Sequence, residues 1–332
     1  MNEKKRLHLK PIDGIRFLAA LWVVISHVSP PIQINWSTIK SIVTLASNGA
    51  WAVIIFFVIS GLCIHLPYAQ DKKMNFISFY LARFSRIAIP MTVAIIISLL
   101  SKNGFDSLDG ILWSLYCELA YYAMYPWLLK IFPKLSIGKC IALSIIPAAI
   151  LTAFPDQHLG LFWAYGFVGT TILGLPIWLT GCLLAEKISA GKNIEILNNK
   201  FILNGLRLTV FFIGILTMAL EFHSPIKYKY SFLVCTPVIY YWLFAELNQK
   251  VMGRILTFLR PLGAASYSLY LTHKLLLPLF TYFGVSPDLS YFNWGLYFIA
   301  MSAFCALFYF LIEKPSHRLA SYFGRFQFPK VA

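Results

Sequence analysis

Asp13, Arg16 and His27 lie within one apolar stretch, Pro11 to Pro30, PIDGIRFLAALWVVISHVSP. On a helix, at ~100° per residue, they fall within about 60° of one another. One face of a membrane helix is therefore ionisable and the rest is greasy. An ionisable side chain in hydrocarbon is costly, so it usually faces a protein interior or a water-filled path. A membrane anchor with polar ends would account for Asp13 and Arg16. It accounts poorly for His27, about 16 Å beyond Arg16 at ~1.5 Å per residue. Imidazole titrates near neutrality, about 6.5, and suits the removal of a proton from a hydroxyl.

Other residues could join such chemistry. Arg83 and Arg86, in LARFSRIAIP, are three apart and can point to one side of a helix start. Two guanidiniums there suit a phosphate-bearing ligand, because Arg binds phosphate oxygens bidentately. They would equally serve as a charge anchor. Glu118, in LWSLYCELAYYAMYP, lies ~16 Å into its helix, near the bilayer midplane. It needs a partner: Arg16, Arg207, or one of Tyr116, Tyr121, Tyr122 and Tyr125, which can donate hydrogen bonds or ring a pocket. His273, in PLGAASYSLYLTHK, shares a face with Tyr270 and nearly with Ser266. It reads as part of an aqueous cavity or as a core histidine satisfied by Tyr270 or a backbone carbonyl. Ser60 and Gly61, in FFVISG, read as small packing residues. Arg207 extends an anion path or snorkels to the interface. Glu313, in LIEKPSHR, is expected to pair with a loop Arg or Lys.

The elements that carry these residues are membrane helices. The 332-residue chain is 59% hydrophobic and 12% charged, with mean hydropathy +0.70. Soluble domains are about 45–50% apolar and about 25% charged. Apolar runs approach the ~20 residues that span a bilayer, and no alternating pattern suggests a barrel. The reading is all-α: a polytopic bundle of about ten helices, at 12–29, 49–67, 86–102, 107–130, 138–153, 164–186, 201–221, 231–247, 263–283 and 292–312. The whole chain, 1–332, forms a single membrane-embedded domain. MNEKKR before the first run lacks a small-residue cleavage site, so that run is kept as a helix rather than a signal peptide.

The net charge of +15 could suggest nucleic acid, but its placement does not. Twenty-two of the 28 lysines and arginines fall in one set of alternate segments, and only Lys40, Lys102, Lys227 and Lys229 in the opposite set. That asymmetry puts both termini in the cytoplasm. The six cysteines lie singly in apolar segments, with no C-x-x-C pair, so neither a metal site nor a disulfide framework is expected. No internal repeat is evident, which weighs against a transporter of two homologous halves.

Taken together, these stretches resemble the acyltransferase-3 family of integral membrane O-acyltransferases. The resemblance runs from Leu9 to about Arg318. Its segments, in order, are IDGIRFLAALWVVISH, FFVISG, RFSR, WSLYCE, YSLYLTH and EKP. The resemblance implies transfer of an acyl group, commonly acetyl from acetyl-CoA, to a hydroxyl of a carbohydrate or small molecule. The family's essential first-helix Arg and His match Arg16 and His27, and its R-x-x-R, associated with the CoA donor, matches Arg83 and Arg86. Some members carry an extracytoplasmic hydrolase-like domain. This sequence resembles the stand-alone kind, which often acetylates O-antigen, capsule or exopolysaccharide in a bacterial inner membrane, with a lipid-linked carbohydrate as acceptor.

The expected catalytic residues are thus His27, Glu118 and Arg16, with Arg83 and Arg86 on the donor and Asp13, Tyr122, Tyr270 and His273 around the cavity. Asp13 is too far below His27 to orient it, about 21 Å along the helix, and Glu118 is the better candidate. His27 could be a base in a ternary complex or carry the acyl group itself. A secondary transporter with an intramembrane polar path and a non-catalytic export scaffold are the competing classes. Acyl-CoA turnover separates the first of these from an enzyme.

Overall fold

The computed structural model describes residues 9–31, 43–101, 108, 110–153, 161–191, 194–249 and 251–325. Among the described residues every regular element is helical. The longer helices are α1 (Lys10–His27), α2 (Gly49–Ala69), α3 (Phe76–Leu100), α4 (Leu112–Ile131), α5 (Ile137–Ala153), α6 (Gly166–Ser189), α7 (Lys200–His223) and α8 (Tyr228–Asn248). Shorter pieces follow: α9 (Arg254–Leu259), α10 (Ser266–Thr272) and α11 (Leu277–Tyr282). Then come α12 (Tyr291–Phe308) and α13 (Lys314–Arg325).

Six of these helical stretches are long and apolar enough to cross a membrane: those containing α2, α3, α6, α7 and α8, and the continuous helix from Tyr291 to Arg325. With the family assigned below, the chain is a multi-pass membrane protein. α5 is apolar but shorter. α1 and α4 are not among the six, and they carry Asp13, Arg16 and Glu118. The basic N-terminal residues, Lys40 and Lys102 lie outside the described residues.

α2 is the innermost helix, 83% buried over its most apolar window, against 22% for α7. Asn48 starts α2: its side-chain oxygen accepts from the Trp51 N–H at 3.1 Å, and its amide donates to the Gly214 carbonyl at 2.9 Å. That N-cap satisfies one of the orphan donors of the first turn while tying α2 to α7. Association in lipid depends on close packing, since tails are as apolar as leucine. α2 and α6 meet through reciprocal glycines. A Cβ on Gly61 would lie 2.0 Å from the Trp178 carbonyl oxygen, and one on Gly181 would lie 2.0 Å from that of Val58. α7 turns Leu208, Phe212 and Leu216 outward, more than half exposed or nearly so, as a lipid-facing helix does.

Three expected helices differ. The third begins at Phe76, not at Arg86, because the Asn75 side chain caps it by accepting from the Ser78 N–H at 3.0 Å. Arg83 and Arg86 therefore lie inside α3. The ninth, expected as one helix over 263–283, is broken into a 3-10 turn at Arg260–Ala265, α10, a run of turns from His273, and α11. The tenth does not stop near 312. It passes through a π-turn at Tyr309–Glu313 into α13. Pro315 has no N–H to return to the preceding turn, and π-turns are frequent at functional sites.

Candidate active site

Two adjoining cavities and a pair of histidines hold the residues singled out above. The inner chamber, about 640 Å³, lies among α1, α2, α3, α4, α10 and the segment around Arg260. Asp13, Arg16, Arg86, Glu118, Tyr122 and Tyr270 all line it. The second cavity, about 690 Å³, is a vestibule between α3 and α13. Lys72, Lys73, Arg83, Arg86 and Arg325 line it, and among the described residues no carboxylate does. Arg86 and His317 belong to both linings, so they mark where the cavities meet. The Ser316 hydroxyl donates to the Ser85 carbonyl at 2.7 Å, which holds α13 along α3 at that junction.

α1 supplies Arg16 as its one-face pattern requires. Its guanidinium stands 3.9 Å from Asp13 and donates to the Cys63 sulfur at 3.1 Å. Glu118 accepts from the Ser60 hydroxyl at 2.7 Å and from the Tyr122 hydroxyl. The Trp178 indole N–H donates to Ser60 at 3.2 Å. Glu118 is thus fixed by α2 and its own helix. The structure joins it neither to Arg207 nor to His27. Arg207 pairs instead with Glu246, Nε to Oε1 at 2.7 Å and Nη2 to Oε2 at 3.0 Å. That pair lies on α7 and α8, away from both cavities.

Phe56 and Tyr270 line the chamber side by side, their rings meeting edge-on with centroids 6.1 Å apart. Tyr270 is anchored by the Ser114 hydroxyl at 2.7 Å and donates to the Ile111 carbonyl at 3.0 Å. Beyond it lies His273, fully buried, with its ring centroid 6.2 Å from that of Tyr270. His27 follows, exposed at the end of α1, with its Nδ1 3.3 Å from His273 Nε2. His27 is not part of the chamber wall. Its contacts are His273, the Val23 carbonyl at 3.0 Å and the Ser26 hydroxyl at 3.3 Å. His273 Nδ1 donates to the Tyr270 carbonyl at 2.7 Å. Thus His273 has the carbonyl partner of a core histidine and faces His27 as well.

Some of this is absent from the sequence reading. Ser60 does more than pack, since it holds Glu118; Gly61 beside it does pack. Among the described residues Glu313 pairs with no loop Lys or Arg. It accepts from the Ser268 N–H at 2.8 Å and from the Ser268 hydroxyl, and His317 Nε2 stands 3.4 Å away. The i, i+4 spacing of Glu313 and His317 was the available signal. Lys72, Lys73 and Arg325 come together only because α13 folds back along α3.

No curated protein and no solved structure matches the chain. A family profile does, described as an acyltransferase domain and matching residues 10–313. The match takes in α1 through the π-turn, with His27, Arg83, Arg86, Glu118 and His273 all inside it. The chain belongs to the acyltransferase-3 family, and so is a membrane acyltransferase.

Proposed function

We propose that this protein is an O-acetyltransferase that moves acetyl from cytoplasmic acetyl-CoA to a hydroxyl of a lipid-linked carbohydrate, destined for a cell-surface polysaccharide. It resides in the inner membrane of a bacterium as a single domain of ten passes, with both termini cytoplasmic. One observation supports the reading: a basic vestibule, with no carboxylate in its lining among the described residues, shares Arg86 and His317 with a more apolar chamber whose Tyr270 ring lies 6.2 Å from that of His273, the partner of His27. Each cavity is of small-molecule size, about 300–1,000 Å³. Joined end to end they suit an elongated donor with a polyanionic head. The nucleotide phosphates lie against Arg83 and Arg86, where bidentate bonds favour arginine. The arm passes Arg16, Glu118 and Tyr122 towards Tyr270.

The acceptor comes from the outer side, where His27 is exposed. Its hydroxyl oxygen attacks the thioester carbonyl carbon. A C–O bond forms, the C–S bond breaks, and the CoA thiolate leaves. His27 takes the hydroxyl proton and later returns it to the thiolate. A positioned base of this kind contributes about 10²–10⁴ in rate. Glu118 and Arg16 hold the donor arm rather than the base.

The test has two parts. Purified protein should transfer labelled acetyl from acetyl-CoA to a glycan acceptor, and surface glycan from cells with the gene should be one acetyl group heavier than from cells without it. Substrate uptake without acetyl-CoA turnover would overturn the reading in favour of a transporter.

A further inference from the structure

We infer that His273 is the positioning residue for His27, and that Trp294 and Tyr297 of α12 hold the two histidines in register. The inference rests on the reading of His27 as the base.

The hydrogen positions follow from the partners. His27 Nδ1 faces the Val23 carbonyl at 3.0 Å and His273 Nε2 at 3.3 Å. A carbonyl can only accept, so Nδ1 carries the proton. His273 Nδ1 faces the Tyr270 carbonyl at 2.7 Å, so it too carries a proton. His273 Nε2 must then offer a lone pair to His27, because two N–H groups would repel. Both rings are neutral. The proton on His27 Nδ1 leaves its Nε2 as the basic atom. This is the arrangement of a base oriented by a third group.

The Val23 bond lies within α1, since Val23 is four residues before His27. Ser26 is on α1 too, so among the described residues only His273 ties the ring by a hydrogen bond to another part of the bundle. When His27 takes the acceptor's proton, its Nδ1–H bond to His273 becomes charge-assisted and strengthens. The contact therefore supports the transition state more than donor binding.

α12 sets the spacing. The Trp294 indole N–H donates to the Val28 carbonyl at 2.9 Å, and the Tyr297 hydroxyl donates to the His273 carbonyl at 2.5 Å. Val28 directly follows α1 and His273 directly follows α10. Carbonyls at helix C-termini lack intrahelical donors. Two side chains three residues apart, on one face of α12, supply them to both histidine-bearing ends. Tyr297 is fully buried.

The experiment uses purified full-length protein in detergent and reads acetyl-CoA binding, kcat and KM. His273→Leu removes the acceptor. His273→Gln keeps an oxygen near the place of Nε2, yet cannot take up a proton. His273→Leu should lower kcat about 10–100-fold, a hydrogen bond to a charged group at ~1.4 kcal/mol per tenfold, with KM for acetyl-CoA within about twofold. His273→Gln should recover most of that loss, and Tyr297→Phe should cost kcat severalfold. An unchanged kcat in His273→Leu, or a Gln protein as inactive as the Leu one, overturns the inference. If the Leu protein does not fold, the other two decide: an inactive Gln protein or an unchanged Tyr297→Phe overturns it. Retained transfer in a parallel His27→Ala protein would instead sink the base assignment on which it rests.

Discussion

The vestibule between α3 and α13 is wide, and its wall gathers Lys72, Lys73, Arg83, Arg86 and Arg325 from three separate parts of the chain. The histidine pair beyond Phe56 and Tyr270 is narrow, and both rings are pinned to backbone carbonyls of their own helices. One region is charge without tight geometry; the other is tight geometry with neutral rings. Long flexible cations tolerate a ligand that enters and leaves. A proton transfer needs its base within hydrogen-bond reach of the reacting group. Under the proposed function, donor capture falls to α3 and α13 and acyl transfer to α1 and α10. They should therefore be separable by mutation.

The largest effect should come at the narrow region. His27→Ala should lower transfer by the full value of a positioned base, about 10²–10⁴. In the wild type, kcat should fall tenfold per pH unit below the pKa of that histidine in the complex, since only neutral imidazole accepts a proton. A flat acid limb would remove His27 from that role.

At the wide region the effect should be smaller and of another kind. Arg83→Ala and Arg86→Ala should raise KM for acetyl-CoA about tenfold or more each, as loss of a charge-assisted bond of about 1.5–3 kcal/mol requires. Arg86→Lys should recover only part, having lost the planar fork. Unchanged KM in both alanine proteins, with folding intact, would reduce the two arginines to charge anchors. Between the regions, Glu118→Gln keeps acceptors for Ser60 and Tyr122. It should cost less than Glu118→Leu, which leaves the Tyr122 hydroxyl without that partner; equal losses would mean that the charge itself is needed.

Arg207→Ala should have the smallest effect on turnover. It leaves Glu246, only 3% exposed, without its cation and with the Trp242 indole N–H as a remaining donor at 3.0 Å, while Arg207 itself is 36% exposed. The cost falls between the roughly 1 kcal/mol of an exposed pair and the ~3–5 kcal/mol of a buried one. It should appear as a lower Tm with kcat and KM unchanged. A changed KM would bring Arg207 back into the anion path.

α1 was legible almost to the residue, at 12–29 expected and Lys10–His27 found, because its polar and apolar residues separate cleanly by face. The R-x-x-R pair was misplaced for a physical reason. Charges were taken to mark an interface, but α3 turns both arginines into cavities, so the helix continues through them and starts at its Asn75 cap. The break at His273 was invisible to hydropathy. At the break Tyr297, on a distant helix, donates to the His273 carbonyl, and Pro278 in the first turn of α11 has no N–H to continue the preceding helix. The pairing of His27 with His273 was hidden too. Each was picked out on its own helix, and their contact depends on how α1, α10 and α12 pack. For Glu118, Tyr122 was among the expected partners and does donate to it, one turn away on the same helix, whereas Ser60, on another helix, was missed because it looked like a packing residue.

Under the proposed function, donor binding and acyl transfer reside in different places. The most direct measurement compares His27→Ala with Arg86→Ala in one detergent preparation, reading equilibrium binding of acetyl-CoA and single-turnover acetyl transfer at saturating donor. His27→Ala should bind acetyl-CoA within about twofold of wild type and transfer at least ~10²-fold more slowly. Arg86→Ala should bind about tenfold more weakly and transfer near the wild-type rate once saturated. Parallel loss of binding and transfer in His27→Ala would mean that the two are not separate, and rapid transfer by it would mean that His27 is not the base.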